Sequence, residues 1–483
     1  MTFEDRILRA KTRRHFFKDC GVGIGRVALA SIMADGVLSA KEIPASPMAP
    51  KEPHFTPQVK NVIYLFMAGG PSQLEMIDYK PTLQKHDGET APDSILDGKR
   101  FAFMGTFAEN KPRLLATKRE FKQYGQSGMW ASDLVQEIGA VADDVAMIRG
   151  IQTDNFNHAP AKCFMNTGSI RFGRPSMGSW ATYGIGSESA DLPGFVVLQS
   201  GPRGPRGGAG LWSSGFLPTA YQGVPFRSGG DPILNLSTAP GVTKASQAET
   251  LDTIREMNLL QYENDGDPEI MTRVAAYEMA YRMQTSGPDL IDFGQETQET
   301  LDMYGAKPGE ASYANNCLLA RRMIERGVRF VQLYHADWDH HADISGPLEK
   351  VTREIDRPTA ALIKDLKQRG LLDDTLVIWG GEFGRTPMAE VREEEAPGKQ
   401  GRNHHIDAFP MIMTGGKIRR GHSIGETDDL GFSSVGEKIH VHDIQATILH
   451  MLGLDHTKLT YTFQGRPFRL TDVGGRVLHD LFA

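Results

Sequence analysis

The segment "LYHADWDHHADI" concentrates side chains that can ligate a metal ion. Its histidines and aspartates are His335, Asp337, Asp339, His340, His341 and Asp343. The spacing Asp339-x-His341 can present a carboxylate and an imidazole to one divalent ion from a single loop. The sequence therefore predicts that Asp339 and His341 are metal ligands.

Two segments further along the chain carry ligand-type side chains as well. "WGGEFGRTP" places Glu382 after two glycines, and "GRNHHIDAFPMIMTGG" places His404 and His405 ahead of an apolar run. Mixed imidazole and carboxylate ligands suit zinc, manganese or iron better than calcium. We predict a divalent metal site at these loops, with zinc or manganese favoured over calcium. In the alternative interpretation, these are solvated polar loops that share no site.

Two upstream segments offer candidates for the same site. "GGPSQLEMIDYKP" contains Glu75 and Asp78, which are candidate metal ligands. Alternatively, Ser72 caps a helix whose first turn carries Glu75. "GRPSMGSWATYGIG" predicts a helix with a Pro-Ser start, and Arg174 beside that start is a candidate anion contact.

Short apolar runs separated by helical patterns must position these side chains. The runs are "KNVIYLFMAGG", "DDVAMIRGI", "GFVVLQ", "GVRFVQLYH", "DTLVIWGG" and "AFPMIMTGG". Strands that alternate with helices are typical of βαβ units. We predict an α/β fold of three layers, α/β/α, with a mostly parallel central sheet. Such sheets bind ligands outside the carboxyl ends of their strands, so the candidate loops are expected to meet in one crevice.

Composition limits the functional classes. The 483 residues carry a formal net charge of −7 and no extended basic block, so we do not expect a nucleic-acid partner. The three cysteines, Cys20, Cys163 and Cys317, include no C-x-x-C pair, so a thiolate metal site is not expected. A disulfide between Cys163 and Cys317 stays open.

The N-terminal segment has the layout of a secretory signal. Arg13 and Arg14 are followed by Phe16, Phe17 and a Gly/Ala/Val/Ile-rich stretch too short to span a bilayer. The pattern resembles the twin-arginine export signal, which implies a protein exported in folded form to the periplasm or the cell exterior. No transmembrane anchor is expected in the mature chain. A basic amphipathic first helix is the alternative interpretation.

These patterns divide the chain into three parts. Residues 1–40 are predicted to be the signal segment, and residues 41–58 a proline-rich leader. Residues 59–483 are predicted to form a single α/β domain. A Gly/Pro-rich interval and two helical patterns around 200–305 indicate an insertion in that domain.

Several ordered motifs resemble the domain-of-unknown-function 1501 family of exported bacterial proteins. They are "FMAGGPSQLEMIDYKP", "NHAPAKCFMNTG", "GRPSMGSWATYGIG", "DWDHHADI", "GGEFGRTP", "GRNHHIDAFPMIMTGG" and "HVHDIQATILHMLGLDH". That family is similar to the alkaline phosphatase and sulfatase superfamily, whose members hydrolyse phosphate or sulfate esters with metals at the carboxyl edge of a parallel sheet. The resemblance implies an alkaline-phosphatase-like core.

The resemblance also implies roles for particular residues. Asp339 with His341, Glu382, and either His404 or His405 correspond to the metal shell of the superfamily. At the nucleophile position of sulfatases this chain has "HAPAK", with no serine, threonine or cysteine.

Two catalytic schemes follow from that replacement. Either His158 acts as nucleophile or acid/base while Lys162 or Arg174 holds an anionic group, or water activated by a metal attacks directly.

The expected function is that of an exported, metal-dependent hydrolase of a sulfate or phosphate ester. The expected partner is an anionic ester substrate, with a sulfated carbohydrate as one candidate. The alternative is a catalytically degenerate superfamily member that binds a glycan or a protein. The sequence does not predict the oligomeric state.

Overall fold

The structure is a computed structural model. It describes residues 46–99, 101, 111–227, 241–390 and 399–483. The predicted signal segment and residues 41–45 of the predicted leader lie outside these ranges. Within the described part, Ser46–Ala483 form one compact unit. No helix of the described residues is long and apolar enough to cross a bilayer.

Helices and strands alternate along much of the chain. The described residues form the helices α1 (Gln73–Met76), α2 (Pro81–Lys85), α3 (Asp93–Leu96), α4 (Gln136–Gly139), α5 (His158–Thr167), α6 (Met177–Ile185), α7 (Lys244–Asp265), α8 (Pro268–Ile291), α9 (Gln298–Tyr304), α10 (Tyr313–Glu325), α11 (Ser345–Gln368) and α12 (Val441–Met451). The strands are β1 (Asn61–Ala68), β2 (Phe121–Tyr124), β3 (Met129–Ser132), β4 (Ala146–Gln152), β5 (Phe195–Ser200), β6 (Val224–Phe226), β7 (Phe330–Ala336), β8 (Thr375–Gly380), β9 (Gly384–Ala389), β10 (Arg402–His405), β11 (Phe409–Thr414), β12 (Ser423–Ile424), β13 (Glu426–Thr427), β14 (Ser434–Val435), β15 (Ile439–His440), β16 (Tyr461–Phe463) and β17 (Arg466–Phe468).

The main sheet is mostly parallel, as the sequence predicts. Its order in the described residues is β12-β4-β11-β8-β1-β7-β5-β6, with β15 also paired to β4. β11 runs antiparallel to β4 and β8, and the other pairings within this sheet are parallel. The start of β11 therefore lies at the edge where β1, β7 and β8 end. This direction explains why the histidine pair at 404–405 precedes its strand while the other candidate segments follow theirs.

Helices cover both faces of the sheet, which confirms the predicted three-layer fold. Ile63, Leu65 and Met67 of β1 pack in one buried cluster with residues of α10 and α11. Val62, Tyr64 and Phe66 alternate with them and pack in a second cluster with residues of α5, α6 and α12. This alternation follows from the two-residue period of a strand, and it makes β1 apolar on both sides.

The two described cysteines are both free and buried. Cys317 belongs to the cluster on the α10–α11 side of the sheet, and Cys163 to the cluster on the α5–α6 side. The sheet separates them, so they do not form the disulfide that the sequence left open.

Helix α11 follows the β7 loop and shows a clear amphipathic pattern. Its apolar positions, including Leu348, Val351 and Ile355, are buried against the sheet. Lys350 and Arg353 are exposed on the opposite face, as expected for a helix that covers a core with one stripe of side chains.

Candidate metal centre

Four side chains from three segments of the chain meet at the carboxyl edge of the sheet. His158 begins α5 after β4, Asp339 and His341 follow β7, and His404 lies in β10 just ahead of β11. Each offers one potential ligand atom, and these atoms lie within 4.8 Å of one another. We refer to these four residues as the ligand group.

Three imidazole nitrogens converge on one carboxylate oxygen in the ligand group. The distances to Asp339 Oδ1 are 3.0 Å from His158 Nε2, 2.7 Å from His341 Nε2 and 3.2 Å from His404 Nε2. Three imidazoles and one carboxylate make a donor set of the kind that zinc and related transition metals bind in proteins.

The other ring nitrogen of each histidine is held by a separate acceptor. His158 Nδ1 lies 2.8 Å from Glu382 Oε1, and His404 Nδ1 lies 2.5 Å from the carbonyl oxygen of Phe156. His341 Nδ1 contacts Glu390 Oε2. An Nδ1–H bond to a carboxylate or carbonyl leaves the lone pair on Nε2, and this is the usual arrangement of metal-bound histidines.

This arrangement fits a bound cation. His404 must donate Nδ1–H to a carbonyl, and burial lowers the pKa of His404 to about 3, so the ring is neutral at ordinary pH. Its Nε2 lone pair then faces a carboxylate oxygen, which is repulsive unless a positive charge lies between them. His158 Nε2 is also buried, and although it lies 3.0 Å from Asp339 Oδ1 it makes no hydrogen bond of good geometry among the described residues. The donor set and this buried nitrogen are both consistent with a divalent metal ion.

Asp339 is strongly held in its ionised form. Burial would raise the pKa of this carboxyl, but the charge of the adjacent Arg385 guanidinium helps to hold it well below its usual range. Arg385 donates to Asp339 Oδ1 at 2.8 Å from one side of the carboxylate. The anionic ligand is therefore formed before any metal binds.

Arg385 also fixes the backbone around the ligand group. Its buried guanidinium donates to the carbonyl oxygens of Gly69, Gly70, Trp338 and Arg402. These carbonyls belong to the turn after β1, the loop after β7 and strand β10. One side chain thus ties three of the segments that form the site.

A close backbone approach accounts for the glycine that follows β1. Gly69 has a φ of +135°, and a Cβ there would lie 2.7 Å from the Trp338 backbone nitrogen and 2.8 Å from that of Asp339. Its N–H donates to the Glu382 carboxylate at 3.1 Å. A larger residue would push the β7 loop away from β1, so glycine is needed for the position of Asp339.

Glu382 lies behind the ligand group and was predicted as a ligand itself. Its carboxylate is completely buried and contacts His158 Nδ1 at 2.8 Å and Lys162 Nζ at 3.3 Å. Burial would raise the pKa of Glu382, but the nearby Lys162 and His158 lower it to about 2. Glu382 is therefore an ionised carboxylate that orients His158.

Of the two adjacent histidines, the structure brings only His404 to the group. His405 Nε2 lies 2.6 Å from the carbonyl oxygen of Phe432. Successive side chains of a strand point to opposite faces, so β10 can direct only one of this pair at Asp339. The sequence pattern named both residues and could not choose between them.

Glu75 and Asp78, predicted as ligands, lie in other polar networks. Glu75 accepts from the Arg402 guanidinium at 2.6 and 3.0 Å. Asp78 pairs with Lys80 at 3.3 Å and accepts from Thr427 at 3.1 Å. The chain turns away after Gly70, which carries both carboxylates away from Asp339.

The three predicted catalytic residues occupy different positions. His158 lies in the ligand group itself, and Lys162 lies beside it against Glu382. Arg174 is not brought to the group. Its guanidinium lies 5.2 Å from the ring centre of Phe468, and it pairs with Asp472 at 3.5 Å.

Sequence reasoning missed three charged residues that contact the ligand group, one of which is Arg385. Glu390 holds His341, and the exposed Arg206 approaches Asp339 Oδ2 to 3.7 Å. Arg206 lies in the Gly/Pro-rich interval that was predicted as part of an insertion, and that interval was the available signal. Glu390 directly follows β9 and has no recognisable spacing to the ligand group.

The sequence matches a family model over nearly all of the described core. The model described as "Protein of unknown function (DUF1501)" matches residues 59–482. No curated protein matches the chain in a sequence search.

The fold is similar to several solved structures at low identity. A lipoteichoic acid synthase from Listeria monocytogenes has 10% identity and a TM-score of 0.33, covering 88% of this chain and 78% of that one. The sulfatase PsFucS1 from Pseudoalteromonas sp. has 13% identity and a TM-score of 0.33, covering 82% and 68%. A phosphonate monoester hydrolase from Silicibacter pomeroyi has 11% identity and a TM-score of 0.34, covering 88% and 76%.

Proposed function

The chain belongs to the family described as protein of unknown function (DUF1501), and we propose that it is a metal-dependent hydrolase of a sulfate or phosphate ester. The observation that carries the proposal is the convergence of three Nε2 atoms on Asp339 Oδ1, with each Nδ1 held by an acceptor. The resemblance of the motifs to the alkaline phosphatase and sulfatase superfamily supports the class of ester.

The ligand group would hold the metal through His158, Asp339, His341 and His404. A divalent ion bound there would supply Lewis-acid stabilisation of the ester oxygens and lower the pKa of water. Zinc or manganese suits these ligands better than calcium because three of the four are imidazoles.

Arg206 is the side chain best placed to hold the anionic ester. It lies 3.7 Å from Asp339 Oδ2, and its side chain is 59% exposed, so it can rotate towards a substrate. Arginine forms two parallel hydrogen bonds with sulfate or phosphate oxygens. Lys162 is less suited to direct contact because it is buried and paired with Glu382.

The described lining of the small cavity next to the ligand group supplies no hydroxyl or thiol nucleophile. That cavity has a volume of about 20 Å³ and is lined by Lys162, Arg203 and Arg206 together with ligand-group residues. Its described lining includes no serine, threonine or cysteine. The cavity is large enough for one water molecule. We infer that water attacks: its oxygen joins the sulfur or phosphorus, and the bond from that atom to the ester oxygen breaks. One proton of the water leaves with the alcohol, and the other stays on the sulfate or phosphate product or passes to solvent.

The same lining favours a second candidate function. A superfamily member that lost its nucleophile could keep the metal and use it to bind a glycan or a protein without hydrolysis. Turnover separates the two, because both candidates predict metal binding and only the first predicts product.

We expect the purified chain to bind about one zinc or manganese ion and to hydrolyse aryl sulfates or aryl phosphates. Chelation should lower turnover by roughly a hundredfold or more, and added metal should restore it, because the ion stabilises charge in the transition state. Elemental analysis measures the metal, and release of the phenol measures turnover. Less than about a tenth of an equivalent of metal after reconstitution would contradict both candidates. Bound metal without turnover on any ester would favour the binding protein.

We also propose that the chain is exported by the twin-arginine route to the periplasm or the cell exterior. The support is the pair Arg13-Arg14 followed by an apolar stretch. We expect the double substitution Arg13→Lys and Arg14→Lys to keep the protein in the cytoplasm, measured by cell fractionation. The single substitution Lys18→Arg, which leaves the arginine pair intact, should not change export. Export of the double variant at the normal level would contradict this route.

A further inference from the structure

Two large cavities adjoin each other beside the ligand group. The near cavity, of about 710 Å³, is lined by Asp339 and His341 of the ligand group and by Arg203 and Arg206 of the overlying loop. The distal cavity, of about 720 Å³, lies between the end of β5, the segment after α9 and helix α11. Pro202, Lys350 and Glu354 line both cavities. The two cavities therefore form one groove that leads away from the ligand group.

The distal cavity has an excess of positive charge. Its charged lining consists of Lys307, Lys350, Arg353 and Arg357 against Glu310 and Glu354. Glu354 accepts a hydrogen bond from His335 Nε2 at 2.9 Å, so one of the two carboxylates is already engaged. The chain as a whole has a net charge of −7, so this local positive excess runs against the overall charge.

Lys350 stands at the junction of the two cavities and is not used by the fold. It is exposed, and it makes no hydrogen bond or ion pair with any residue that the structure describes. Arg353 follows it by one helical turn and pairs with the exposed Glu349 at 2.8 Å. Such an exposed pair contributes little to stability and is easily exchanged for a ligand.

The cations of α11 form a stripe that points along the groove. Lys350, Arg353 and Arg357 have the spacing i, i+3 and i+7, which places them on one face of the helix. With a rise of 1.5 Å per residue, the stripe is roughly 10 Å long. That length exceeds the size of one sulfate or phosphate group, so a ligand that uses the whole stripe must carry several anionic groups.

We propose that the groove binds an acidic polysaccharide, with one ester at the ligand group and further anionic groups along the α11 stripe. This inference rests on the proposed function for the ester at the ligand group. The shared chemistry is a sugar chain that carries sulfate or phosphate groups at intervals. Lys350 then holds the anionic group next to the reacting ester, and Arg353 holds the following one.

The lining favours a sugar chain over a nucleic acid. Gln199, Ser200, Ser312 and Glu310 supply hydrogen-bonding groups of the kind that sugar hydroxyls need. Tyr304 and Tyr313 are the aromatic residues of the described lining, and both are buried, so no ring is presented for base stacking.

The test measures binding to the metal-loaded full chain without turnover. The probes are short dextran sulfate, dextran phosphate, neutral dextran and single-stranded DNA of matched charge. The variants are Lys350→Ala combined with Arg353→Ala, Lys350→Glu, and Lys85→Ala as the matched control. Lys85 is exposed, has no ion pair among the described residues, and lines neither cavity.

We expect the double variant to raise the Kd for dextran sulfate or dextran phosphate about tenfold, and Lys350→Glu to raise it further. The polymer whose Kd rises more shows whether the groove prefers sulfate or phosphate groups. Lys85→Ala should change neither Kd, and neutral dextran should not bind. All variants are expected to unfold at the wild-type temperature because these side chains are exposed.

Two results would overturn the proposal that the groove binds an acidic polysaccharide. The first is an unchanged Kd for both charged dextrans in the double variant. The second is that the wild type binds single-stranded DNA as tightly as the charged dextrans and that the double variant weakens DNA binding by the same factor. Because binding is measured without turnover, the outcomes separate. If the double variant loses dextran binding and the wild type hydrolyses no ester, the proposed function is overturned and the groove proposal is supported. Aryl ester hydrolysis with unchanged dextran binding overturns only the groove.

Discussion

The substitution Asp339→Asn is expected to abolish metal binding and to lower turnover about a thousandfold. Asp339 Oδ1 is the atom that three imidazole nitrogens approach, and it is the one anionic member of the ligand group. Asparagine keeps the volume but removes the negative charge, so a divalent cation would be bound far more weakly. A thousandfold loss corresponds to about 4 kcal/mol of transition-state stabilisation. Metal content after dialysis and kcat/KM on an aryl ester measure the two effects.

The matched control is Asp337→Asn, two residues earlier in the same loop. Asp337 pairs with the exposed Arg203 and does not belong to the ligand group. Its φ is +83°, a conformation that asparagine tolerates, so the substitution should leave both fold and metal content unchanged.

The fold of the Asp339→Asn variant is expected to persist. Arg385 loses one charged partner but keeps four backbone carbonyls as acceptors. Thermal unfolding of the metal-free proteins checks this point. An Asp339→Asn variant that folds and still retains about one metal ion would remove Asp339 from the metal shell.

The three-layer architecture could be read from the sequence because its signals are local. The central parallel strands β1, β7 and β8 are buried along their whole length, so they appear as largely apolar runs such as "NVIYLFMA". Helices between the runs then require a mostly parallel sheet. The direction of β11 could not be read in this way, because its hydrogen-bond partners β4 and β8 are distant in the chain.

The direction of β11 explains why the histidine pair lies at the site, and strand β10 decides which of the two histidines is used. With β11 antiparallel, the residues before it lie at the edge where the other strands end, and the pleat of β10 selects His404 over His405. Spacing within the segment gives both histidines equal weight. The choice depends on pairing between β9 and β10, which is a long-range property.

Residue type alone does not separate a ligand from a residue that supports a ligand. The sequence predicts Glu382 as a metal ligand and His158 as a catalytic group. The structure places His158 in the ligand group and Glu382 behind it, at its Nδ1. The difference arises because β8 ends at Gly380, so the Glu382 side chain turns into the core, where no solvent reaches it.

The substitution Glu382→Gln is expected to destabilise the fold and to weaken metal binding. Glutamine accepts the same hydrogen bond from His158 without the charge, so Lys162 becomes a buried cation with no carboxylate beside it. Removing one partner of a buried ion pair costs about 3–5 kcal/mol of unfolding free energy. Loss of the carboxylate behind a metal-bound histidine lowers metal affinity by about 10–100-fold. Urea unfolding of the metal-free protein and metal titration measure these effects separately.

The pKa of Glu382 gives this prediction a pH dependence. The folded pKa is about 2, below the ordinary value of 4.5, so the ionised form stabilises the fold. That stabilisation is complete above pH 4.5 and is lost as the pH falls towards 2. The difference between the folded and the ordinary pKa corresponds to about 3 kcal/mol of unfolding free energy. Between pH 5 and pH 3, the wild type should therefore lose more unfolding free energy than Glu382→Gln; equal losses would contradict this role.

The double variant Glu382→Gln/Lys162→Met separates the two consequences of losing this carboxylate. Removing the lysine charge also removes the unpaired buried cation, so most of the unfolding free energy lost in Glu382→Gln should return. Metal affinity should stay low, because His158 still lacks a charged carboxylate at Nδ1. Stability that recovers while metal binding does not would show that Glu382 acts on the metal through His158 and on the fold through Lys162. Additive losses of stability in the double variant would contradict the pairing of Glu382 with Lys162.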